Sequence, residues 1–86
     1  MIRIETSKRR DLVTLALSGR IQADDLPELK RVMESYSRPL ILDLTGVKIV
    51  DRDVVAFLAA FETDNGRIMN CPNYIREWIR RERAQP

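Results

Sequence analysis

The chain has 86 residues, which is the size of one small domain and leaves no room for a second hydrophobic core. Apolar residues make up 44% and charged residues 33% of it, a composition typical of a folded globular protein rather than of a disordered chain. Lys and Arg outnumber Asp and Glu by only 15 to 13, so charge gives no signal for nucleic-acid binding. We therefore expect a single domain over residues 1–86 that does not bind nucleic acid.

Cysteine usage and the N-terminus indicate the compartment. Cys71 is the only cysteine, so an internal disulfide cannot form. The segment Met1–Glu5 lacks the apolar core of a secretory signal, and no apolar run is long enough to span a bilayer. The sequence therefore predicts a cytoplasmic protein without direct membrane insertion. With no His and no carboxylates at metal-ligand spacing, neither a metal site nor a cofactor is expected.

The first third of the chain predicts two strands and a helix. Ile2 and Ile4 begin the first strand, and the alternation of apolar residues over Val13–Leu17 predicts a half-buried second strand, so the two should form a hairpin. Asp25 is placed to cap the first helix, with Pro27 in its first turn. Apolar residues then recur at helical spacing to about Tyr36.

The middle of the chain predicts a buried strand followed by a buried helix. The nearly continuous apolar run Leu40–Leu44 favours a central strand covered on both faces. Asp51 precedes the dense apolar stretch Val54–Phe61, which predicts a helix with an acidic start. Asn65 and Gly66 predict a glycine stop at its end.

A brief strand and a last helix complete the expected order. The strand covers Arg67–Asn70, and Pro72 opens the helix. One stripe of that helix predicts core packing; it consists of Tyr74, Ile75, Trp78 and Ile79. The order β-β-α-β-α-β-α predicts an α/β fold, a small single-domain mixed sheet of about four strands with helices packed on it and right-handed crossovers.

Several of these stretches together resemble a known family, the STAS domain of anti-sigma-factor antagonists. The resemblance rests on Leu15–Ile21, then a helix, then Leu40–Val47, then Val50 and Asp51 opening an apolar helix. Its strongest part is the Asp-Leu-Thr-x-Val stretch of residues 43–47, seven to eight residues before Asp51. The resemblance implies a stand-alone module that binds an anti-sigma factor, often also a Ser/Thr kinase, and is released when phosphorylated on a Ser just inside this helix.

The departure from that family falls on the phosphorylation site. Where the family typically reads Asp-Ser-Ser-Gly or Asp-Ser-Thr-Gly, this chain has Asp51, Arg52, Asp53 and Val54. By this resemblance Asp53 occupies the phosphoacceptor position, and a carboxylate cannot accept phosphate from a Ser/Thr kinase. It also carries less charge than a phosphoserine. Two hypotheses follow: a module held near its phosphorylated-like state, or one recruited to a partner that does not phosphorylate it.

Each residue of this helix start also has a simpler interpretation. Asp51 and Asp53 are residue types common at helix starts, one as a cap and the other as a partner of the helix dipole. Arg52 fits either a recognition contact or a solvated neighbour. Val54 places a branched side chain where the family often has glycine, which favours a different partner. We take Asp51, Arg52, Asp53, Val54 and Val55 as the candidate partner-binding surface.

Two other functions fit the sequence. In the first, the chain resembles the small structural STAS subunit of a bacterial lipid-transport ATPase complex; an exposed apolar surface around Val54, Val55 and Trp78 would favour it. In the second, the chain is an enzyme that uses Asp51 and Asp53 as acid and base. It ranks last because no His, Lys or metal ligand accompanies the two carboxylates.

The preferred interpretation is a non-enzymatic binding module in a partner-switching system, with no catalytic residues, no cofactor and no metal. Its expected partner is an anti-sigma factor or Ser/Thr kinase-like regulatory protein. Longer members of the family continue with a further strand and helix, whereas this chain stops at Pro86. A homodimer formed through a sheet edge exposed by that difference is a further expectation.

Overall fold

A computed structural model describes residues 2–36 and 39–84. This part of the chain forms a small α/β domain in the predicted order β-β-α-β-α-β-α, which confirms the fold class. The elements are β1 (Ile2–Arg9), β2 (Leu12–Ile21), α1 (Leu26–Glu34), β3 (Leu40–Val50), α2 (Arg52–Thr63), β4 (Arg67–Met69) and α3 (Asn73–Ala84). A 3-10 turn over Ala23–Asp25 leads into α1.

The four strands form one mixed sheet in the order β1-β2-β3-β4. β1 and β2 form the predicted hairpin, in which Arg9 pairs with Leu12 across a two-residue turn. Arg10 in that turn has a φ of 48°, in the left-handed region. β2, β3 and β4 are parallel neighbours. β3 therefore lies inside the sheet, as its apolar sequence predicts.

All three helices cover the same face of the sheet. Along β2 the side chains of Val13, Leu15 and Leu17 are at most 1% exposed, whereas Thr14 and Ala16 between them are half-buried. The buried residues form one cluster with members from all three helices; the helical members are Leu29, Val54, Val55, Leu58, Ala59, Ile75 and Ile79. Since successive parallel strands are added in one direction, right-handed crossovers place α1 and α2 on one side.

The other face of the sheet has no helix against it in the described part of the chain. The prediction that β3 is covered on both faces is therefore wrong. Ile41 is buried to 7% exposure yet lies outside the core cluster, and Leu12 and Met69 on the same face are 44% and 41% exposed. A short apolar run does not show whether a strand is covered on one face or on both. Ile41 is buried by the neighbouring strands rather than by a second layer of helices.

The start of α1 differs from the prediction at Asp25. Its side chain does not cap α1; instead its Oδ2 accepts a hydrogen bond of 2.8 Å from the backbone N–H of Gln22. This bond stabilises the 3-10 turn itself, and the α-helix begins after it at Leu26. The helix ends at Glu34, two residues before the predicted Tyr36. The predicted break near Pro39 adjoins Ser37 and Arg38, which lie outside the described residues.

β3 is longer than predicted because it continues past Leu44 through Gly46 to Val50. A register shift against β2 lies at this point, where Gly46 pairs with Ser18. A Cβ on Gly46 would lie 2.6 Å from the Ser18 Cβ, so the close approach of the two strands requires glycine.

Asp43 organises the same part of the sheet. Its Oδ1 accepts hydrogen bonds from the Thr45 backbone N–H at 2.9 Å, the Thr45 hydroxyl at 2.6 Å and the Asn70 amide at 3.2 Å. The Thr45 hydroxyl and backbone bonds lower the pKa of Asp43 despite some burial. Asp43 and Thr45 are the first and third residues of the Asp-Leu-Thr-x-Val stretch, and their bonds therefore stabilise this part of β3. Asp43 also links β3 to Asn70, the residue after β4.

One residue of the last helix also departs from its predicted role. Ile75 and Ile79 are buried and Trp78 packs partly against the core, as predicted. Tyr74, in contrast, is 50% exposed, and its hydroxyl donates to the backbone carbonyl of Lys48. The Tyr74 side chain lies beside the C-terminal half of β3, which extends beyond the three-residue β4, rather than in the core.

Candidate functional site

The start of α2 is built around Asp51. This residue precedes the helix with extended backbone, a φ of −104° and a ψ of 179°, and its Oδ1 accepts a hydrogen bond of 3.0 Å from the backbone N–H of Val54. The bond pairs one of the N–H groups that a helix start leaves without an intrahelical partner. Asp51 is thus the N-cap of α2, which confirms one of the two interpretations drawn from sequence.

The second oxygen of Asp51 reaches another part of the chain. Its Oδ2 accepts a hydrogen bond of 2.8 Å from the backbone N–H of Ala23, 28 residues earlier in sequence. The carboxylate therefore links the 3-10 turn before α1 to the first turn of α2. Because both oxygens are occupied and the group is partly buried, Asp51 holds the surface together rather than presenting a free charge.

Asp53 lies at the second residue of α2, in the same turn as the Val54 N–H that Asp51 caps, and its side chain is exposed. A carboxylate here is favoured by the positive end of the helix dipole by about 0.3 to 1 kcal/mol. Asp53 and Asp51 are two residues apart, yet one is displayed at the surface and the other is bound within the fold.

Arg52 occupies the first residue of α2 and is directed toward α3. Its Nε lies 3.5 Å from Glu82 Oε1, and 75% of the Arg52 side chain remains exposed. An exposed pair of this kind contributes little to stability. The Arg52 side chain therefore keeps most of its surface for contact with solvent or another molecule.

Val54 and Val55 do not belong to the exposed surface. Their relative exposures are 1% and 0%, and both lie in the core cluster. Their side chains therefore cannot touch a partner in this fold, which corrects their assignment to the contact surface. The third and fourth residues of α2 face the sheet when Arg52 and Asp53 face outward, because successive helical residues are rotated by about 100°.

The structure adds residues that sequence spacing could not indicate. Glu82 comes from the far end of α3 and Ala23 from the segment before α1, and both meet the α2 start only through the tertiary fold. At the other end of α2, Glu62 accepts a hydrogen bond of 2.7 Å from Arg76 and lies 3.8 Å from Arg83. These contacts hold α3 against α2.

Cys71, the single cysteine of the chain, is half-buried. Burial raises the pKa of the Cys71 thiol, which disfavours the nucleophilic thiolate. Within residues 2–36 and 39–84, no group of three or more Cys, Asp or Glu side chains is placed to hold a metal ion. Among the helices that the structure describes, none is both long enough and apolar enough to cross a bilayer.

A scan against models of known protein families and a search of the curated proteins both returned no match. The likeness to STAS domains thus rests only on the sequence pattern described above. The geometry of the α2 start is independent of that likeness: a cap held by two bonds, with Arg52 and Asp53 displayed beside it.

Proposed function

We propose that this chain is a cytoplasmic, non-enzymatic protein-binding module of the anti-sigma-factor antagonist type, and that it binds its partner through the exposed side of the α2 start. The contact surface has Arg52 and Asp53 at its centre. The partner is an anti-sigma factor or a related Ser/Thr kinase-like regulator, as the resemblance implies.

The observation that carries this proposal is the contrast between Asp51 and Asp53. The two hydrogen bonds that Asp51 accepts fix the first turn of α2 against the 3-10 turn before α1. That rigid support displays Asp53 at the solvent surface, where a partner can reach it. A preorganised surface loses less conformational entropy on binding, which favours recognition at this place over a flexible loop.

Asp53 sets the expected state of the module. A Ser/Thr kinase cannot phosphorylate it, and its single charge reproduces only part of the charge of a phosphoserine. If the partner releases the phosphorylated form, as the resemblance implies, Asp53 weakens that contact permanently. Replacing Asp53 with Ser would then remove the charge and restore a hydroxyl.

The test is affinity capture from the native cell lysate with the wild-type chain and Asp53→Ser, followed by titration of the purified captured protein. We expect Asp53→Ser to bind a kinase-like regulator at least about tenfold more tightly than the wild type, and the amides at the start of α2 to gain protection from hydrogen exchange on binding. Asp64→Ser is the matched control, since Asp64 is an exposed carboxylate at the opposite end of α2.

Three outcomes contradict the proposal. Equal affinities of the wild type, Asp53→Ser and Asp64→Ser would show that the α2 start takes no part in recognition. Equal capture of one subunit of a transport ATPase by all three chains would favour the structural-subunit alternative instead. Turnover of a substrate that is abolished by Asp53→Ser would establish an enzyme.

A further inference from the structure

The two edges of the sheet differ in length and in what they leave unpaired. β4 forms one edge with only three residues, whereas β1 forms the other with eight. Within residues 2–36 and 39–84, no other strand pairs with the outer side of β1. A long edge strand offers a row of free backbone N–H and C=O groups to another chain, and a very short strand does not.

The hairpin turn determines which residues of β1 offer these groups. Arg9 and Leu12 close a two-residue turn, so they form the hydrogen-bonded pair at the end of the ladder. Hydrogen-bonded and non-bonded pairs alternate along antiparallel strands, so every second residue back from Arg9 bonds to β2. The backbone groups of the intervening residues, Ile2, Ile4, Thr6 and Lys8, therefore point away from the sheet.

A second copy of β1 fits this edge in one register better than in the others. In an antiparallel twofold pair centred on Glu5, that carboxylate faces its own copy, and centring on Thr6 sets Arg3 opposite Arg9. Centring on Ser7 pairs Glu5 with Arg9 but brings the two cationic ends of β1 together.

Centring on Ile4 avoids each of these conflicts. It sets Arg3 of each copy opposite Glu5 of the other, and Ile4 opposite Ile4 on the face covered by helices, where Ile2 and Ile4 are half-buried beside the core. The cationic C-terminal ends of the two β1 strands then lie apart from each other. Lys8 at that end already packs within its own protomer, with its Nζ 5.3 Å from the centre of the Tyr36 ring.

We propose that β1 is a homodimerisation edge: two copies of the chain pair antiparallel over Ile2–Thr6 about a twofold axis at Ile4, forming a continuous eight-stranded sheet. The paired segment has five residues, so the interface is small and the dimer weak, with a dissociation constant on the order of 0.1 mM. This inference is independent of the proposed partner and leaves the α2 start of each copy unpaired.

Charge exchange between Arg3 and Glu5 tests the register. By sedimentation equilibrium of the full chain, we expect a concentration-dependent dimer that Arg3→Glu weakens at least about tenfold, because Glu then faces Glu twice. Glu5→Arg should weaken it similarly. The double variant Arg3→Glu/Glu5→Arg restores both opposite-charge pairs and should return the dissociation constant to within about threefold of the wild type.

Arg9→Glu is the control, since it alters the charge of β1 as much as Arg3→Glu does but lies outside the paired segment. It should not weaken the dimer. Far-UV circular dichroism confirms that each variant is folded. Hydrogen exchange measured at high and at low protein concentration tests the register directly. At the high concentration the amides of Ile2, Ile4 and Thr6 should gain protection, and that of Lys8 should not.

Any of four results overturns the proposal. These are a wild type that remains monomeric at about 1 mM, a dimer that is unaffected by Arg3→Glu, a double variant no better than the single ones, and protection of Lys8 in place of Ile4. A monomeric wild type whose β1 amides are protected only by an added peptide would assign the edge to a different chain.

Discussion

The two ends of α2 are both secured, but by different means and with different results. At the start, Asp51 caps the helix and bonds to Ala23, and the charged residues just after it remain at the surface. At the end, the bonds come from the backbone: the N–H of Gly66 donates to the carbonyl of Phe61 at 2.8 Å, and that of Asn65 to Glu62 at 3.1 Å. This is a Schellman ending.

The start of α2 is held by a side chain, that of Asp51, whereas the end is held by backbone bonds and a change of backbone conformation. Asn65, rather than the predicted Gly66, takes the left-handed conformation, with a φ of 70°. Gly66 is required for space, because a Cβ there would lie 2.5 Å from the carbonyl oxygen of Phe61. Glu62 is directed to two arginines of α3. The carboxylate of Glu62 near the end of α2 is thus bound within the fold, whereas that of Asp53 at its start is exposed.

The largest effect should come from the C-terminal end. Gly66→Ala should lower the free energy of unfolding by about 3 kcal/mol, since the added methyl collides with the Phe61 backbone as well as its ring. Urea unfolding followed by circular dichroism measures it. Asn65→Gly is the control and should be nearly neutral, because glycine accepts a positive φ. Comparable losses in both variants would show that the backbone conformation, not space, limits this turn.

Removing the cap should cost somewhat less. Asp51→Ala should lower the free energy of unfolding by about 2 kcal/mol, because α2 loses its cap and the Ala23 N–H loses its acceptor. It should also increase hydrogen exchange at Ala23, which a simple capping role would leave unchanged. Unaltered exchange at Ala23 would mean that the link between the two segments is not needed in solution.

The ion pairs of Glu62 should contribute less again. Glu62→Gln should lower the free energy of unfolding by about 1 kcal/mol, because Arg76 keeps one neutral acceptor but loses a carboxylate only 15% exposed. The difference from wild type should shrink in about 1 M NaCl. Glu77→Gln, which removes an exposed pair with Arg80, should have the smaller effect. The reverse ranking would show that the α2–α3 contact does not depend on Glu62.

The smallest effect on stability should come from Asp53. Asp53→Ser should change the free energy of unfolding by less than about 1 kcal/mol, because the side chain is exposed and its contribution is limited to the helix dipole. The same urea titration measures it beside Asp51→Ala. A loss as large as that of Asp51→Ala would mean that Asp53 is a structural residue, and the contrast between the two carboxylates would disappear.

Much of the fold followed from local patterns. The alternation over Val13–Leu17 predicted β2, the helical spacing of apolar residues predicted α1, α2 and α3, and Asp51 was recognised as a potential cap. These succeed because side-chain periodicity and capping chemistry act within a few residues. Two predictions were wrong because contacts between distant segments determine the burial of the residues concerned. Ile41 lies on a face of the sheet with no helix above it, within the described residues, and Tyr74 lies beside β3 rather than in the core.

The candidate site divides in the same way. From the sequence, one could predict that Asp51 and Asp53 begin a helix, and the resemblance added a reason to consider Asp53 as a switch position. The sequence could not show that Val54 and Val55 turn into the core, since that depends on the rotation of α2 about its axis against the sheet. Nor could it indicate Ala23 and Glu82, which reach this helix start from 28 residues before Asp51 and from the far end of α3.

The order of elements, the residue types at helix ends and the apolar stripes can be read from the amino-acid sequence alone, because these depend on neighbours in the chain. Three features required the folded structure: which sheet face is covered, which of the two carboxylates Asp51 and Asp53 is hydrogen-bonded within the fold, and which edge of the sheet is long enough to pair. Those outcomes depend on contacts between distant segments, and the direction in which parallel strands are added to the sheet sets the first of them.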